Sequence, residues 1–582
     1  MTKNDELNQV VARAAKNANF IWSIAELLRG DYKQADYGKV VLPLTVLRRL
    51  DCVLEPTKQK VLDYLPKIKG KNIQNIDPVL NKIAGLTFHN KSKFDFEKMK
   101  ADHDNIAPNL KNFINGFSNN AREIIDYFGF EEHINRLDES DLLYQIIQRF
   151  AEVDLHPKTV SSIEMGYIFE ELIRKFSEIS NETAGEHFTP REVIRLMVNL
   201  LFIEDRDILT KEGIVKTLYD PACGTGGMLS IAEEYLRELN PDSELVVFGQ
   251  ELNPEAYAIC KSDMMIKGQK PDNIKFGNSF TQDGLENQKF DYMLSNPPFG
   301  VDWKKIESKI KAEHEEKGFE GRFGAGLPRI SDGALMFLQH MISKMKLTNG
   351  GSRLGIVFNG SPLFTGGAGS GESEIRKWII ENDMLEAIIA LPNQLFYNTG
   401  IFTYIWIVTN RKPKERKGKI QLLNGISFYT QMKKSLGEKR HEISAEQIGE
   451  ITKIYGNFKE GKFSKIFDNE DFGYWQITVE RPARDEKGNA LKDNKGKPKA
   501  DSNLRDTENV SLKDDIKKYF QKEVIPHVPD AWIDEEKTKK GYEISFTKYF
   551  YEYKPLRSLE EIRKDILALE KETEEKLKEA IK

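Results

Sequence analysis

Apolar residues recur at two different periods along this chain, and the change of period divides it. Near the N-terminus Phe20, Ile21, Ile24, Leu27 and Leu28 follow helical spacing, and Gly30 stops that helix. Leu42, Leu44, Leu47 and Leu50 mark a second helix. Residues 1–155 are therefore expected to form an all-helical domain whose plain role is packing. An amphipathic helix, Met165 to Arg174, then leads to Thr189-Pro190-Arg191-Glu192. That tetrapeptide reads as a helix start, with Thr as N-cap, Pro at the first helical position and Glu closing a capping box. Beyond it come short apolar runs: Thr217–Tyr219, Glu244–Gln250, Phe290–Ser295, Leu354–Phe358, Ala387–Ala390 and Ile405–Val408. Helical stretches such as Ala334–Met345 separate them. The alternation predicts an α/β domain over 156–415 with a largely parallel, doubly wound sheet.

Three stretches break this rhythm. Gly300 to Ser331 is rich in Gly, Lys and Glu and too long for a tight connection. It reads as a mobile flap, with Trp303, Arg322 and Phe323 as candidate substrate contacts, or as a solvated loop tip. A mixed, Lys-rich extension spans 416–545; Trp475–Glu480 alternates like a strand, and Asp485–Ser502 is polar enough to predict a disordered or extended insertion near 485–502. In the last segment, 546–582, Leu559, Ile562, Ile566 and Leu569 follow 3-4-3 spacing with Glu and Lys on the other faces. Such a helix is too short to be stable alone and needs a surface to pack on.

Chemistry enters at the ends of the strands. Asn296-Pro297-Pro298-Phe299 closes the Phe290–Ser295 run, where open α/β sheets place their ligands. Two prolines remove backbone donors and stiffen the turn. An amide oxygen, a carbonyl and an aromatic face suit a planar base bearing an exocyclic amine. Asn-Pro alone is a common turn, so the upstream segment matters. Asp220-Pro-Ala-Cys-Gly224-Thr225-Gly226-Gly227 joins a strand to a helix whose N-terminus can receive a carboxylate. The loop lacks the third glycine of a dinucleotide fingerprint (Leu229 stands there) and the Gly-Lys-Ser/Thr of a phosphate loop. Glu251, ending the second strand, can take two ribose hydroxyls, and Asn278 can meet an adenine edge. A ligand with a carboxylate, a ribose and an adenine but no phosphate is S-adenosyl-L-methionine.

Composition narrows the class. The chain has 582 residues, enough for several domains, and 39% hydrophobic content. No apolar run reaches membrane-spanning length, and the polar start Met1–Glu6 is not a signal peptide, so a cytoplasmic location is expected. Cys52, Cys223 and Cys260 are too scattered for a disulfide framework or a zinc site, and the histidines lack metal-binding spacing, so no metal is expected. A formal charge of −5 and a pI near 6.1 are not the global signature of a nucleic-acid-binding protein. Alone, the chain should bind DNA poorly, although an average conceals any local basic patch.

The chain resembles the modification subunit of type I restriction-modification systems, in the gamma class of adenine-N6 DNA methyltransferases. The likeness runs through Val41–Arg49, Gly185-Glu186-His187-Phe188-Thr189-Pro190, the glycine loop, the Asn-Pro-Pro-Phe turn, Lys434–Lys439, His527–Trp532 and Tyr553–Arg557. It implies that Asn296, Pro297, Pro298 and Phe299 are catalytic. It also implies that Glu186, His187, Phe188, Thr189, Pro190 and Arg191 cover the methionine end of the cofactor, beside Asp220, Gly224, Thr225, Gly226, Gly227, Glu251 and Asn278. Asn278 stands where many related enzymes carry Asp. The resemblance further implies double-stranded DNA as substrate, a separate specificity subunit contacted by the C-terminal helix, two copies of this chain per specificity subunit, and a restriction subunit in the full complex. The alternatives are cytosine-N4 transfer, whose enzymes usually carry Ser at the first turn position, methylation of a protein glutamine, and a non-catalytic assembly role.

Overall fold

Among the described residues, helices fill the chain as far as Leu209, and strands enter at Val215. The computed structural model describes residues 3–580, apart from 69–72, 181–188, 349, 398, 493–495, 497 and 552–557. Contacts divide it into a large unit through Glu543 and a small one from Ile544 to Lys582. Among the described residues no helix is long and apolar enough to cross a membrane.

In the large unit, helices Lys3–Ala25, Gly38–Ile68 and Ser162–Ser180 bury their apolar stripes together, with Ile21, Ile24, Leu44, Leu47 and Leu50 in the core. Ile168 and Leu172 belong to that same core, as do Ala258 and Ile259 from helix Pro254–Ile266. The helical layer is thus continuous with the helices of the sheet. Arg49 fastens the segment that leads into helix Ser162–Ser180: its Nη1 donates to the carbonyls of Leu155 (2.5 Å) and Val160 (2.8 Å).

The strands are β1 (Val215–Asp220), β2 (Glu244–Glu251), β3 (Ile274–Phe276), β4 (Tyr292–Ser295), β5 (Arg353–Phe358), β6 (Leu385–Ala390), β7 (Tyr404–Thr409), β8 (Lys419–Asn424), β9 (Thr430–Leu436), β10 (Lys439–Glu442), β11 (Ser464–Asp468), β12 (Gly473–Glu480), β13 (Asp506–Ser511) and β14 (Trp532–Tyr542). Nine of them make one sheet in the order β11-β8-β6-β7-β5-β4-β1-β2-β3. Its centre, β3-β2-β1-β4-β5, is parallel as expected. β7 runs antiparallel between β5 and β6, and β11 is an antiparallel edge. The order reverses between β1 and β4, the switch point where an open sheet leaves a crevice at its carboxyl edge. Strands β13-β12-β14 form a separate antiparallel sheet over Ile477, Val479 and Val510.

One expectation needs correcting. Gly300–Ser331 is not a mobile flap: it contains helix Glu307–Lys317, and Trp303, Ile310 and Phe323 form a small core with Phe280 and Met336. Arg322 is held by Glu313 and by the carbonyls of Ser279 and Phe280. Sparse apolar residues find their partners across the fold, a pairing that the Gly- and Lys-rich composition conceals. The described part of Asp485–Ser502 takes the extended form, one of the two expected, through bridges Pro482↔Ala500, Arg484↔Ala490 and Lys492↔Pro498. The small unit carries helix Leu559–Ala580, on which Leu559, Ile562, Ile566 and Leu569 are exposed. Tyr553–Arg557 lies outside the described residues.

Candidate active site

At the switch point the ends of β1 and β4 are tied together by side chains. Asp220 Oδ1 accepts from the Ala222 N–H and from Ser295 Oγ, both at 2.9 Å. One bond shapes the glycine loop and the other holds the residue before Asn296. Asp220 is fully buried, and burial pushes its carboxyl up to about 7 despite those two donors. The nearby Glu251 charge acts in the same direction.

The loop then makes a tight turn into helix Gly227–Leu239. Gly226 has φ +86°, and a Cβ there would come 2.8 Å from Cys260 Sγ, so both conformation and space require glycine. Glu251 grips the loop from β2: Oε2 accepts from Gly224 N and Oε1 from Leu252 N and Asn253 N, each at 2.8 Å. Beyond β3, Asn278 Oδ1 accepts from Phe280 N (2.9 Å) and Thr281 N (3.2 Å). Its amide oxygen is thus committed to the backbone, and Nδ2 is the end that can meet a ligand. Gln250 supports this turn by donating to the carbonyls of Gly277 and Gln282.

These groups surround one cavity of about 500 Å³, whose wall includes Thr189, Asp220, Gly224, Thr225, Gly227, Glu251, Asn278, Asn296 and Pro298. That volume suits a small cofactor, for which roughly 300–1,000 Å³ is usual. The donor set also suits one: the helix N-terminus for a carboxylate, Glu251 for hydroxyls, Asn278 for an aromatic ring nitrogen. Asn296 is 9% exposed, and its Nδ2 donates to Thr189 Oγ1 at 2.9 Å. The expected capping box is therefore absent. Pro190 precedes helix Arg191–Phe202 as its cap, Thr189 turns to Asn296, and Glu192 pairs with Lys439. Long-range partners outcompete the local cap.

Other expected positions sit differently. Arg191 lies behind the wall, paired with Glu170 (3.2 Å) and stacked on Tyr167 (4.0 Å). Phe299 is 9% exposed and belongs to the apolar core with Leu294 and Phe396, leaving the cavity wall to Pro298 and Val301. Glu186, His187 and Phe188 lie outside the described residues. Glu170 was not anticipated: it lines the cavity from helix Ser162–Ser180, its carboxyl raised by burial and lowered by Arg191. Its signal was an acid on the inward face of an otherwise apolar stripe. Phe280 and Phe337 also line the cavity and left no local trace.

Comparison with known proteins gives a consistent picture. The family described as N-6 DNA Methylase matches residues 161–483, and the HsdM N-terminal domain matches 17–150. The type I restriction enzyme MjaIX methylase subunit of Methanocaldococcus jannaschii is 27% identical over 461 residues, covering 76% of this chain and 77% of that protein. The MjaVII methylase subunit of the same organism is 29% identical, covering 62% of this chain and 60% of its own length. The crystal structure of a type I restriction-modification system methyltransferase subunit from Streptococcus thermophilus shares the fold with a TM-score of 0.61 at 21% identity, covering 79% of this chain and 97% of that one.

Proposed function

The chain belongs to the N-6 DNA methylase family, and from that premise we propose how its site works. It is the methylase subunit of a type I restriction-modification system, a site-specific DNA methyltransferase acting on adenine N6. When bound, S-adenosylmethionine supplies the methyl group as an electrophile on sulfur. Everything else falls to the chain. Target adenine leaves the duplex, because its amine is otherwise buried in a base pair. Asn296 Oδ1 accepts one N–H of that amine and the Pro297 carbonyl the other, which draws the nitrogen toward tetrahedral geometry and turns its lone pair toward the cofactor. Thr189 holds the Asn296 amide by its nitrogen. Glu251 and Asn278 position ribose and adenine, and the glycine loop receives the amino-acid end. Catalysis is positioning and exclusion of water, with no covalent intermediate.

The observation that carries this reading is the Asp220–Ser295 bond, which locks the cofactor loop to the Asn-Pro-Pro-Phe turn on a single cavity. The partners are DNA and further subunits of the restriction-modification assembly. We place two copies of this chain on one specificity subunit, in the cytoplasm, with the exposed apolar stripe of Leu559–Ala580 as the docking helix. The test is transfer of labelled methyl to unmethylated genomic DNA, with and without the specificity subunit, followed by nucleoside analysis. N6-methyldeoxyadenosine is expected, and only from the reconstituted complex. Label in N4-methyldeoxycytidine or in a protein glutamine would overturn the assignment.

Asp220 makes cofactor affinity depend on pH. Its carboxyl is raised to about 7 before the cofactor binds. A cationic ligand in the same cavity favours the ionised form, so binding is strong above about 7 and weakens as the carboxyl takes up a proton below it. Affinity measured by calorimetry should fall about tenfold from pH 8 to pH 6, one pKa unit being a tenfold effect. The Asp220→Asn profile should be flat; a flat wild-type profile would mean that Asp220 does not titrate there.

A further inference from the structure

Among the described residues, strands β9 and β10 pair with each other alone, as a ribbon outside both sheets. The foot of this ribbon is firmly set. Gln394 O accepts from Arg440 N (2.9 Å) and His441 N (3.1 Å), and Tyr397 O accepts from Glu438 N (2.7 Å). Lys439 points inward, buried, to the carbonyls of Leu395 and His441 and to Glu192. Glu192 sits in the first turn of the helix that follows Thr189, the partner of Asn296. The ribbon therefore stands at the carboxyl edge of the sheet, on the side of the catalytic turn. Lys433, Lys434 and Arg440 are exposed on it, with Glu438 and Glu442 as the exposed acids.

The same edge carries exposed apolar side chains. Ile401 (46%) and Phe402 (45%) precede β7, and Tyr429 (39%) follows β8, packed on His441 at 3.9 Å. Along the order β4-β5-β7-β6-β8, β7 lies two strands from β4 and β8 lies four. At about 4.8 Å per strand, Phe402 is roughly 10 Å and the ribbon base roughly 19 Å from the Asn296 strand. The second span is close to the width of a DNA duplex. Aromatic and basic side chains, set one duplex width from the group that receives an extruded base, match an opened stack and its phosphates.

We propose that this edge grips DNA around the extruded adenine: Ile401 and Phe402 contact the opened stack, and Lys433, Lys434 and Arg440 hold the phosphate backbone. This deepens the reading of the chain as a DNA methyltransferase and rests on it. It also answers the acidic net charge: the contact is a local patch, three exposed cations against two acids, on a chain of formal charge −5.

The test uses the full chain with its specificity subunit and unmethylated genomic DNA. Changing Lys433, Lys434 and Arg440 together to Ala should raise KM for DNA about tenfold at physiological salt. It should also make the slope of log affinity against log salt shallower by about 2–3, close to 0.9 per lost phosphate contact. The effect should fall on KM rather than kcat. Removing Lys517, Lys518 and Lys522, three cations exposed elsewhere, should change neither. Phe402→Ala should slow methylation of duplex roughly tenfold and recover on a duplex whose target adenine is mispaired, where opening is already achieved. A wild-type KM and salt slope in the ribbon variant, or an equal loss in the control triple variant, would refute the grip. A wild-type complex that transfers no methyl at all would instead refute the reading beneath it.

Discussion

Asn296→Ala should lower methyl transfer by the reconstituted complex by a thousandfold or more, with cofactor affinity nearly unchanged. The carboxamide does two things at once. Its nitrogen is anchored on Thr189 Oγ1 at 2.9 Å, and that anchor orients the group without touching the substrate. Its oxygen is the acceptor we propose for the adenine amine. As the nitrogen attacks, its N–H bonds become more acidic and the acceptor's pull strengthens, so the interaction is worth more in the transition state than in the ground state. Losing one such preorganised group costs about 10²–10³ in rate. The Pro297 carbonyl alone cannot orient the amine, which adds a positioning loss. Asn296→Asp keeps an acceptor but puts a charge at a site only 9% exposed, so it should recover little. Single-turnover rates and calorimetric cofactor affinities separate the two effects. A rate within tenfold of wild type would mean that another group polarises the amine.

Arg353→Met should cost about 3–5 kcal/mol of stability, enough to threaten folding, since domains hold only about 5–15 kcal/mol in total. Arg353 begins β5 and is 1% exposed; its Nη1 and Nη2 meet the two oxygens of Glu386 on β6, each at 3.0 Å. Nη2 also reaches Tyr455 Oη (2.7 Å) and Nε the carbonyl of Leu201 (3.2 Å). The Arg353 charge, first among the opposing influences, holds the Glu386 carboxyl below its usual range in spite of burial. Without it, only Arg416 and the Tyr455 hydroxyl oppose the burial of Glu386, so its carboxyl should move upward. Such a group is best tolerated below the unfolded-state pKa and increasingly costly as pH rises above it. The deficit, read from denaturant midpoints, should therefore be smaller at pH 5 than at pH 8. The double variant Arg353→Met/Glu386→Gln should be less damaged than Arg353→Met, because the carboxylate that lost its main partner is gone, while Arg416, buried beside it, keeps Glu204 at 3.1 Å. An Arg353→Met midpoint equal to wild type would show the pair to be energetically idle.

How far the chain could be read depended on whether partners were close in sequence. The strand–loop–helix at Asp220–Leu239 was legible because its glycines, its preceding strand and its helix are contiguous. Asn296–Phe299 was legible for the same reason: two prolines after an amide define a turn whatever surrounds it. Thr189 was misread as a cap although its local signal was correct, because folding brought Asn296, 107 residues away, into competition with the helix N-terminus. Trp303 and Phe323 stood between substrate contact and solvated loop tip, and neither reading found their core, because their apolar partners, Phe280 and Met336, lie in other segments. The antiparallel course of β7 left no mark, since a strand buried on both faces looks the same in either direction.

Backbone conformation and the inventory of reactive groups are local properties, so the linear order of residues alone determined the parallel sheet core, the glycine loop and the Asn-Pro-Pro-Phe turn. Which group each polar atom bonds, and which aromatic ring faces a cavity rather than a core, depends on what else arrives within about 3–4 Å. Only the folded arrangement decided that Glu170 would line the cavity, that Arg191 would stand behind it and that Phe299 would turn inward.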